Sequence, residues 1–246
     1  MAAAKVLALV SVIVLSACLA NAAPIEATLS QQIAGNKWAD PTYYEFAAIN
    51  EAGGYQVGDK LFTNFSLTVT SGNTGNPPTP SAIGVKAVKV DWDNTGQWEY
   101  GLLFTGPWSV VAPALVDIVI QFKVTVTDQT SWIVDNTLAM EGAAAGDGLA
   151  GVHEKVEDSA GNLLTDPLKY VWAQSGATHL RDHREFGGMY QELWISKDVQ
   201  VNGGLTGNAS LSLVYQTFSQ VPEPATMGLL GLGGLLVALR RRRRAL

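Results

Sequence analysis

An all-β body is what this 246-residue sequence predicts: a single β-sandwich, jelly-roll-like or immunoglobulin-like, between an N-terminal export signal and a C-terminal apolar segment. Three observations carry that expectation. Apolar and polar residues alternate in segment after segment, which is the period of a half-buried strand. Nine or ten such segments recur at intervals of roughly 10–15 residues, with no long helical period among them. Both chain ends carry uncharged, mostly apolar runs of a different kind, flanked by cations.

Residues 25–40 are polar and weakly patterned, a first strand or an arm. Residues 41–46 hold aromatic β-formers, and Gly53-Gly54 breaks the chain soon after. Lys60–Thr70 alternates from Phe65 onward, and residues 71–81, rich in Pro, Gly and Asn, read as a loop. Residues 84–92 and 97–104 alternate again around Asn94-Thr95-Gly96, the pattern of a hairpin. Asp117–Thr127 puts Ile120, Phe122, Val124 and Val126 on one face, and Ser131–Glu141 follows as another strand. Residues 142–151, nearly all Gly and Ala, read as a loop. Asp158–Gly161 reads as a turn between residues 152–157 and 162–164, and 169–173 is short and aromatic. Residues 190–201 and 209–218 supply the last two strands, joined through Gly203, Gly204 and Gly207. No internal repeat is visible, which disfavours a solenoid.

The N-terminal 22 residues have the layout of a signal peptide. Lys5 precedes an apolar stretch, Val6 to Leu15, and Ala20-Asn21-Ala22 fits the small-x-small rule, with cleavage between Ala22 and Ala23. Leu15-Ser16-Ala17-Cys18 also matches a bacterial lipobox, which would make Cys18 a lipidated first residue. Either route exports the chain.

At the other end, Val221-Pro222-Glu223-Pro224-Ala225-Thr226 leads into an uncharged run, 227–239, and then Arg240, Arg241, Arg242, Arg243 and Arg244. Two prolines one residue apart cannot sit inside a helix. Five guanidinium groups stop translocation, because cationic flanks stay on the cytoplasmic side. Thirteen residues give about 20 Å of helix against a hydrocarbon core of roughly 30 Å. Snorkelling arginines extend the reach, while four glycines weaken the helix. The result is a marginal anchor.

This tail closely resembles the PEP-CTERM sorting signal of bacterial exported proteins. The Pro222-Glu223-Pro224 motif, the Gly/Leu-rich span and the arginine cluster occur in that family's order at the extreme C-terminus. The resemblance covers residues 221–246 and leaves the body, 23–220, without a family. It implies a transient inner-membrane anchor, removed by an exosortase, followed by a place at the cell surface or outside the cell. Some ice-binding proteins carry the same tail, but the flat Thr/Ala-rich repeat that ice binding needs is absent here.

With both ends set aside, residues 24–220 hold ten Lys and Arg against 21 Asp and Glu, a net charge of −11. Such a body repels nucleic acid and anionic lipid surfaces. Cys18 is the sole cysteine, so a chain cut after Ala22 has no disulfide, thiolate metal site or cysteine nucleophile. Packing alone must hold the fold.

Several motifs touch on chemistry, and each has a plainer explanation. Asp91-Trp92-Asp93-Asn94-Thr95-Gly96 starts like a calcium loop, but Leu102 stands where the bidentate glutamate belongs, and a hairpin turn explains the same residues. Residues 146–151 match G-x-G-x-x-G without the following helix that the dinucleotide motif requires, so a flexible loop is expected. His179 and His183, with Asp182 and Glu185, would share a face of a helix and hold zinc. Their mixed charges instead read as a solvated turn. His153-Glu154 lacks the second histidine of a zincin, and there is no G-x-S-x-G elbow. Seven tryptophans, Trp38, Trp92, Trp98, Trp108, Trp132, Trp172 and Trp194, invite a sugar-stacking role, with core packing as the default.

The expected function is therefore non-enzymatic, with no catalytic residue, metal or cofactor: a structural or adhesive protein of the envelope or biofilm. A glycan-binding module of the exopolysaccharide matrix would show exposed tryptophans lined along one sheet. A secreted hydrolase would show a pocket joining His179 or His183 to carboxylates.

Overall fold

The computed structural model describes residues 22–222. Cys18 and the apolar stretch before it lie outside the described residues, as do Glu223, Pro224, the 227–239 run and Arg240–Arg244. Ala22 and Ala23 are exposed. Among the described residues no helix is long and apolar enough to cross a membrane.

The described chain opens with β1 (Ile25–Glu26), β2 (Gln31–Ala34) and β3 (Lys37–Ala39), then a short helix α1 (Phe46–Glu51), β4 (Tyr55–Val57) and β5 (Lys60–Val69). Next come β6 (Gly84–Val90), β7 (Glu99–Thr105), β8 (Trp108–Val111), β9 (Leu115–Val126) and β10 (Ser131–Ala145). It continues through β11 (Leu149–Asp158), β12 (Lys169–Gln174), β13 (Ala177–His179) and β14 (Arg181–Tyr190). The last strands are β15 (Glu192–Asn202), β16 (Asn208–Phe218) and β17 (Gln220–Pro222). One sheet has the order β1-β4-β5-β9-β15-β11-β12-β13. The other has β14-β10-β16-β7-β6-β3-β2, with β8 also on β16 and β17 also on β10.

The two sheets enclose one core. Phe62, Phe65 and Phe122 of the first sheet meet Phe104 and Phe218 of the second, with ring centroids 5.5–6.1 Å apart for Phe65–Phe122, Phe104–Phe122 and Phe62–Phe218. Phe62 and Phe65, three apart, both point inward because the β5 register shifts between Thr63 and Ser66, where Asn64 takes a positive φ of 59°. Ile120, Phe122, Val124 and Val126 share the inner face of β9, as their alternation predicts.

Several expectations need correction. Strands outnumber the expected nine or ten because β1–β4, β8, β13 and β17 are two to four residues long, too short for alternation to show. The Gly/Ala stretch is not a loop: β10 runs through Ala145 and β11 begins at Leu149. Small residues serve there because the chains approach closely; a Cβ on Gly148 would stand 2.2 Å from the Asn208 carbonyl oxygen. Nor is that turn loose, since Asp147 accepts hydrogen bonds from the Leu205 and Thr206 amides. The 179–185 segment is no solvated turn but mostly strand β14, at an edge, where charged side chains also protect against further pairing. Residues 46–51 form a helix that buries Phe46 and Ile49. Strand β17 spans residues 220–222, with Val221 paired to Trp132 and Pro222 to Ser131 of β10.

Candidate functional site

Strand register gathers polar side chains on the outer face of the second sheet. Thr217 of β16 lies opposite Gly101 of β7 and Thr137 of β10, and Thr137 lies opposite His183 of β14. One row away, Asp135 faces Glu185, and Glu99 faces Val90. Partners across a ladder project to the same side. Here that side is outward, because Leu102, Leu138 and Phe218 at the intervening positions fill the core. A register shift between Ile133 and Asp135 lets Ile133 stay in the core while Asp135 turns out.

The loop between β6 and β7, residues 91–98, straps across this face. Asp91 shapes its root by accepting from the amides of Thr95 at 3.0 Å and Gly96 at 2.8 Å. Gly96, at φ +82°, supplies the left-handed step. Trp92 lies over a small outer apolar cluster of Val88, Val90, Leu103, Ala139 and Tyr215. Its Nε1–H donates to the Thr217 hydroxyl at 2.9 Å. At the far edge the Arg181 guanidinium of β14 grips Asp93 with two hydrogen bonds, 2.8 and 3.0 Å, and sits over the Trp92 ring. That grip holds the Asp93 carboxyl below the usual carboxylate range. Strap and sheet enclose a cavity of about 160 Å³ whose wall includes Trp98, Glu99, Asp135, His183, Glu185 and Ser219.

Two hydrogen-bond chains end on Glu99. An indole nitrogen can only donate, so Trp92 donates to Thr217, which in turn donates to Glu99 Oε2 at 2.6 Å. Thr137 donates to Glu99 Oε1 at 3.2 Å and meets His183 Nδ1 at 2.9 Å. A Thr137 hydroxyl that donates to Glu99 leaves its oxygen to accept from Nδ1–H of His183, the tautomer in which Nε2 is the acceptor. Burial raises the Glu99 pKa, the two threonine hydroxyls oppose it, and the nearby Asp135 adds to the rise. Asp135 accepts the Ser219 amide at 3.0 Å and the Ser219 hydroxyl. One ligand atom each from Glu99, Asp135 and His183 lie within 4.8 Å of one another. Two carboxylates and an imidazole at that spread suit a divalent cation of the calcium, manganese or zinc group.

The calcium-like loop and the His183–Glu185 segment thus converge on one pocket. The loop does not aim alternate oxygens at one centre, since Asp91 is spent on backbone amides and Asp93 on Arg181, and Leu102 is in the core. His179 and His183 share no helix face: they lie on β13 and β14, in different sheets. His179 stands opposite Trp172, and Asp182 accepts the Tyr170 amide at 3.2 Å. His153 stacks on Tyr170 at 3.9 Å on the outer face of the first sheet. The G-x-G-x-x-G segment leads into strand β11, not a helix. Core packing describes Trp108, 1% exposed, but not Trp194, 40% exposed; the other five are partly buried. No row of exposed tryptophans forms. Glu99, Asp135, Thr137, Thr217 and Ser219 escaped sequence reading, because Glu99 and Thr217 are 118 residues apart and only sheet register joins them.

A family model of the PEP-CTERM protein-sorting motif matches residues 220–244. The chain therefore carries the signal of a protein exported and sorted to the cell envelope or surface, a class processed in general by exosortases. No curated protein matches the sequence. Among solved structures, the chain is similar to TmCBM61 in complex with β-1,4-galactotriose, at 15% identity over 65% of this chain and 88% of that one, TM-score 0.27. It is also similar to the CBM22-1 xylan-binding domain of Paenibacillus barcinonensis Xyn10C, at 12% identity over 63% and 86%, TM-score 0.19. A family 11 carbohydrate-binding module from Clostridium thermocellum, in complex with a β-1,3-1,4-mixed-linked tetrasaccharide, shares 8% identity over 65% and 91%, TM-score 0.23. The two-sheet, sandwich-like architecture rests on this chain's own strand pairing.

Proposed function

We propose that this is a non-catalytic surface or matrix protein whose β-sandwich body binds a saccharide in the strapped pocket. The observation that carries this reading is the outward, partly roofed cavity with the carboxylates Glu99, Asp135 and Glu185 in its wall. Sugar hydroxyls are donors that carboxylates accept, and the indoles of Trp92 and Trp98 at the rim offer apolar edges to a ring. An exopolysaccharide fits as the natural source. The pocket does join His183 to carboxylates, as a hydrolase would. However, the hydroxyls of Thr137 and Thr217 are committed as donors to Glu99 and that of Ser219 to Asp135, so these three hydroxyls are not paired with a base as nucleophiles. A second reading, favoured by the 4.8 Å cluster, is that Glu99, Asp135 and His183 hold a divalent cation that bridges to the sugar.

In this proposal the chain is exported, cut after Ala22, held at the inner membrane through residues 227–239 and released by an exosortase near Pro222–Pro224. Screening the purified protein on an oligosaccharide array, with and without EDTA, tests the binding site. Wild type should bind a glycan that Glu99→Gln does not, and an effect of EDTA selects the cation reading. Equal binding by both proteins, no binding at all, or the release of new reducing ends would overturn the proposal. Intact masses from membrane and extracellular fractions test the sorting. A released form that retains Arg240–Arg244 would refute it, and a diacylglycerol on Cys18 would replace the Ala22 cleavage.

A further inference from the structure

Between the two sheets, apart from the pocket, lies a polar cluster that saccharide binding does not use. Glu154, Lys169 and Lys197 of the first sheet and Asn136 and Gln216 of the second are all fully buried. Register places them together: Glu154 of β11 is the direct partner of Lys169 on β12 and of Lys197 on β15. From across the core, Asn136 of β10 projects inward beside Leu138 and Met140. Lys169 Nζ donates to the Asn136 carbonyl oxygen at 2.8 Å and to its side-chain Oδ1 at 2.9 Å. Asn136 Nδ2 donates to Glu154 Oε1 at 2.6 Å, and that same oxygen is 3.9 Å from Lys169 Nζ. Lys197 bonds the other Glu154 oxygen and Gln216 Oε1.

Burying so many charged groups gains little stability over an apolar core of the same volume, so the arrangement calls for another explanation. An amine is held against a carboxamide, and one carboxyl group touches the amide that would leave and stands near the amine that would attack. Water, which would compete, is excluded, and fixed proximity makes an otherwise slow acyl transfer effectively unimolecular. We propose that Lys169 and Asn136 join in an intramolecular isopeptide bond, with Glu154 as the catalytic acid–base group.

The step balances without a cofactor or oxidant. The Lys169 ammonium gives a proton to the Glu154 carboxylate. The neutral amine attacks Cγ of Asn136, so the Nζ–Cγ bond forms and the carbonyl electron pair moves onto Oδ1. Glu154 then delivers its proton to Nδ2 and takes the next one from Nζ. The electron pair on Oδ1 returns, the Cγ–Nδ2 bond breaks and ammonia leaves. Burial favours the start, lowering the Lys169 pKa to about 8 against the pull of Glu154, with Lys197 adding to the fall. Lys197 keeps the carboxyl in place. The product bond would tie β10 of one sheet to β12 of the other across 33 residues. A body that has no cysteine once Cys18 is removed would gain a covalent staple that no reductant opens.

Mass spectrometry of the purified wild-type protein tests this without any variant. The cross-linked chain is lighter than its sequence by one ammonia, about 17 Da. Trypsin, unable to cut after a modified Lys169, should release peptide 124–155 joined to 156–181 as one branched species. This readout is independent of how the chain ends are trimmed. Lys169→Met and Glu154→Gln should restore full mass and separate peptides, and Asn136→Asp should lose water, about 18 Da, in place of ammonia. Recovery of separate peptides with an intact Asn136 and a free Lys169 from folded wild-type protein would overturn the inference.

Discussion

Thr217 ties the strap to the sheet, and replacing it with valine isolates that tie. The hydroxyl donates to Glu99 at 2.6 Å and accepts the Trp92 indole N–H at 2.9 Å. Valine keeps the shape and removes both bonds. A hydrogen bond to a charged group contributes about 1.5–3 kcal/mol, and an orphaned indole N–H costs about 1 kcal/mol more. Trp92 and Glu99 are only partly buried, so water recovers some of this, and the expected loss is about 2–3 kcal/mol. For a body of this size that lowers Tm by roughly 5–10 °C. Thr217→Ser, which keeps the hydroxyl, should stay close to wild type.

The pH dependence has a definite sign. Glu99 already has a raised pKa, so the fold favours its protonated form; that contribution is full below the ordinary glutamate value of 4.5 and is lost as pH rises through the folded value. Removing a hydroxyl that lowers the pKa raises it further, so the gap between variant and wild type should widen from pH 4 to pH 7. Urea titrations followed by tryptophan fluorescence at both pH values read this directly. A Thr217→Val protein within about 0.5 kcal/mol of wild type at pH 7, or a gap that narrows as pH rises, would refute the account of the strap.

Other outcomes follow from the same geometry. Arg181→Ala releases Asp93, so limited proteolysis should cut within residues 91–98 faster while Tm barely moves; unchanged cleavage would mean Trp92 alone holds the strap. On the outer face of the first sheet, burial and the neighbouring Asp117 raise the Asp198 pKa to about 6. Its contribution is full below 3.8 and lost as pH rises through about 6, on the order of 1 kcal/mol after solvent screening. Asp198→Asn should therefore flatten the stability profile between those values, and an unchanged slope would exclude the pair. Phe122→Ala, which empties the meeting point of Phe62, Phe65 and Phe104, should cost about 3–5 kcal/mol in urea. A loss below about 1 kcal/mol would show that the core had collapsed around the gap.

Much of the architecture was legible because strand alternation is a local property. Ile120, Phe122, Val124 and Val126 declare an inner face whatever lies opposite, and the hairpin around Asn94 shows in its turn residues. The strand through Ala143–Ala145 did not show, because small residues carry no alternation, and only the close approach of Asn208–Ser210 on β16 explains them. Edge strand β14 did not show because its charged residues look like solvated loop. Half of the site was visible as separate pieces, Asp91–Gly96 and His183–Glu185, with nothing to say that they meet.

By itself the sequence determined the β class, the acidic body without cysteine and the sorting motif at residues 220–244, since each depends on composition or on neighbours along the chain. Only the tertiary structure decided which outward residues form a pocket and which inward ones form a buried polar cluster. Glu99 meets Thr217, and Lys169 meets Asn136, through register and through the stacking of two sheets. Side-chain period tells a strand which face is inside, but not which strand lies beside it or across from it.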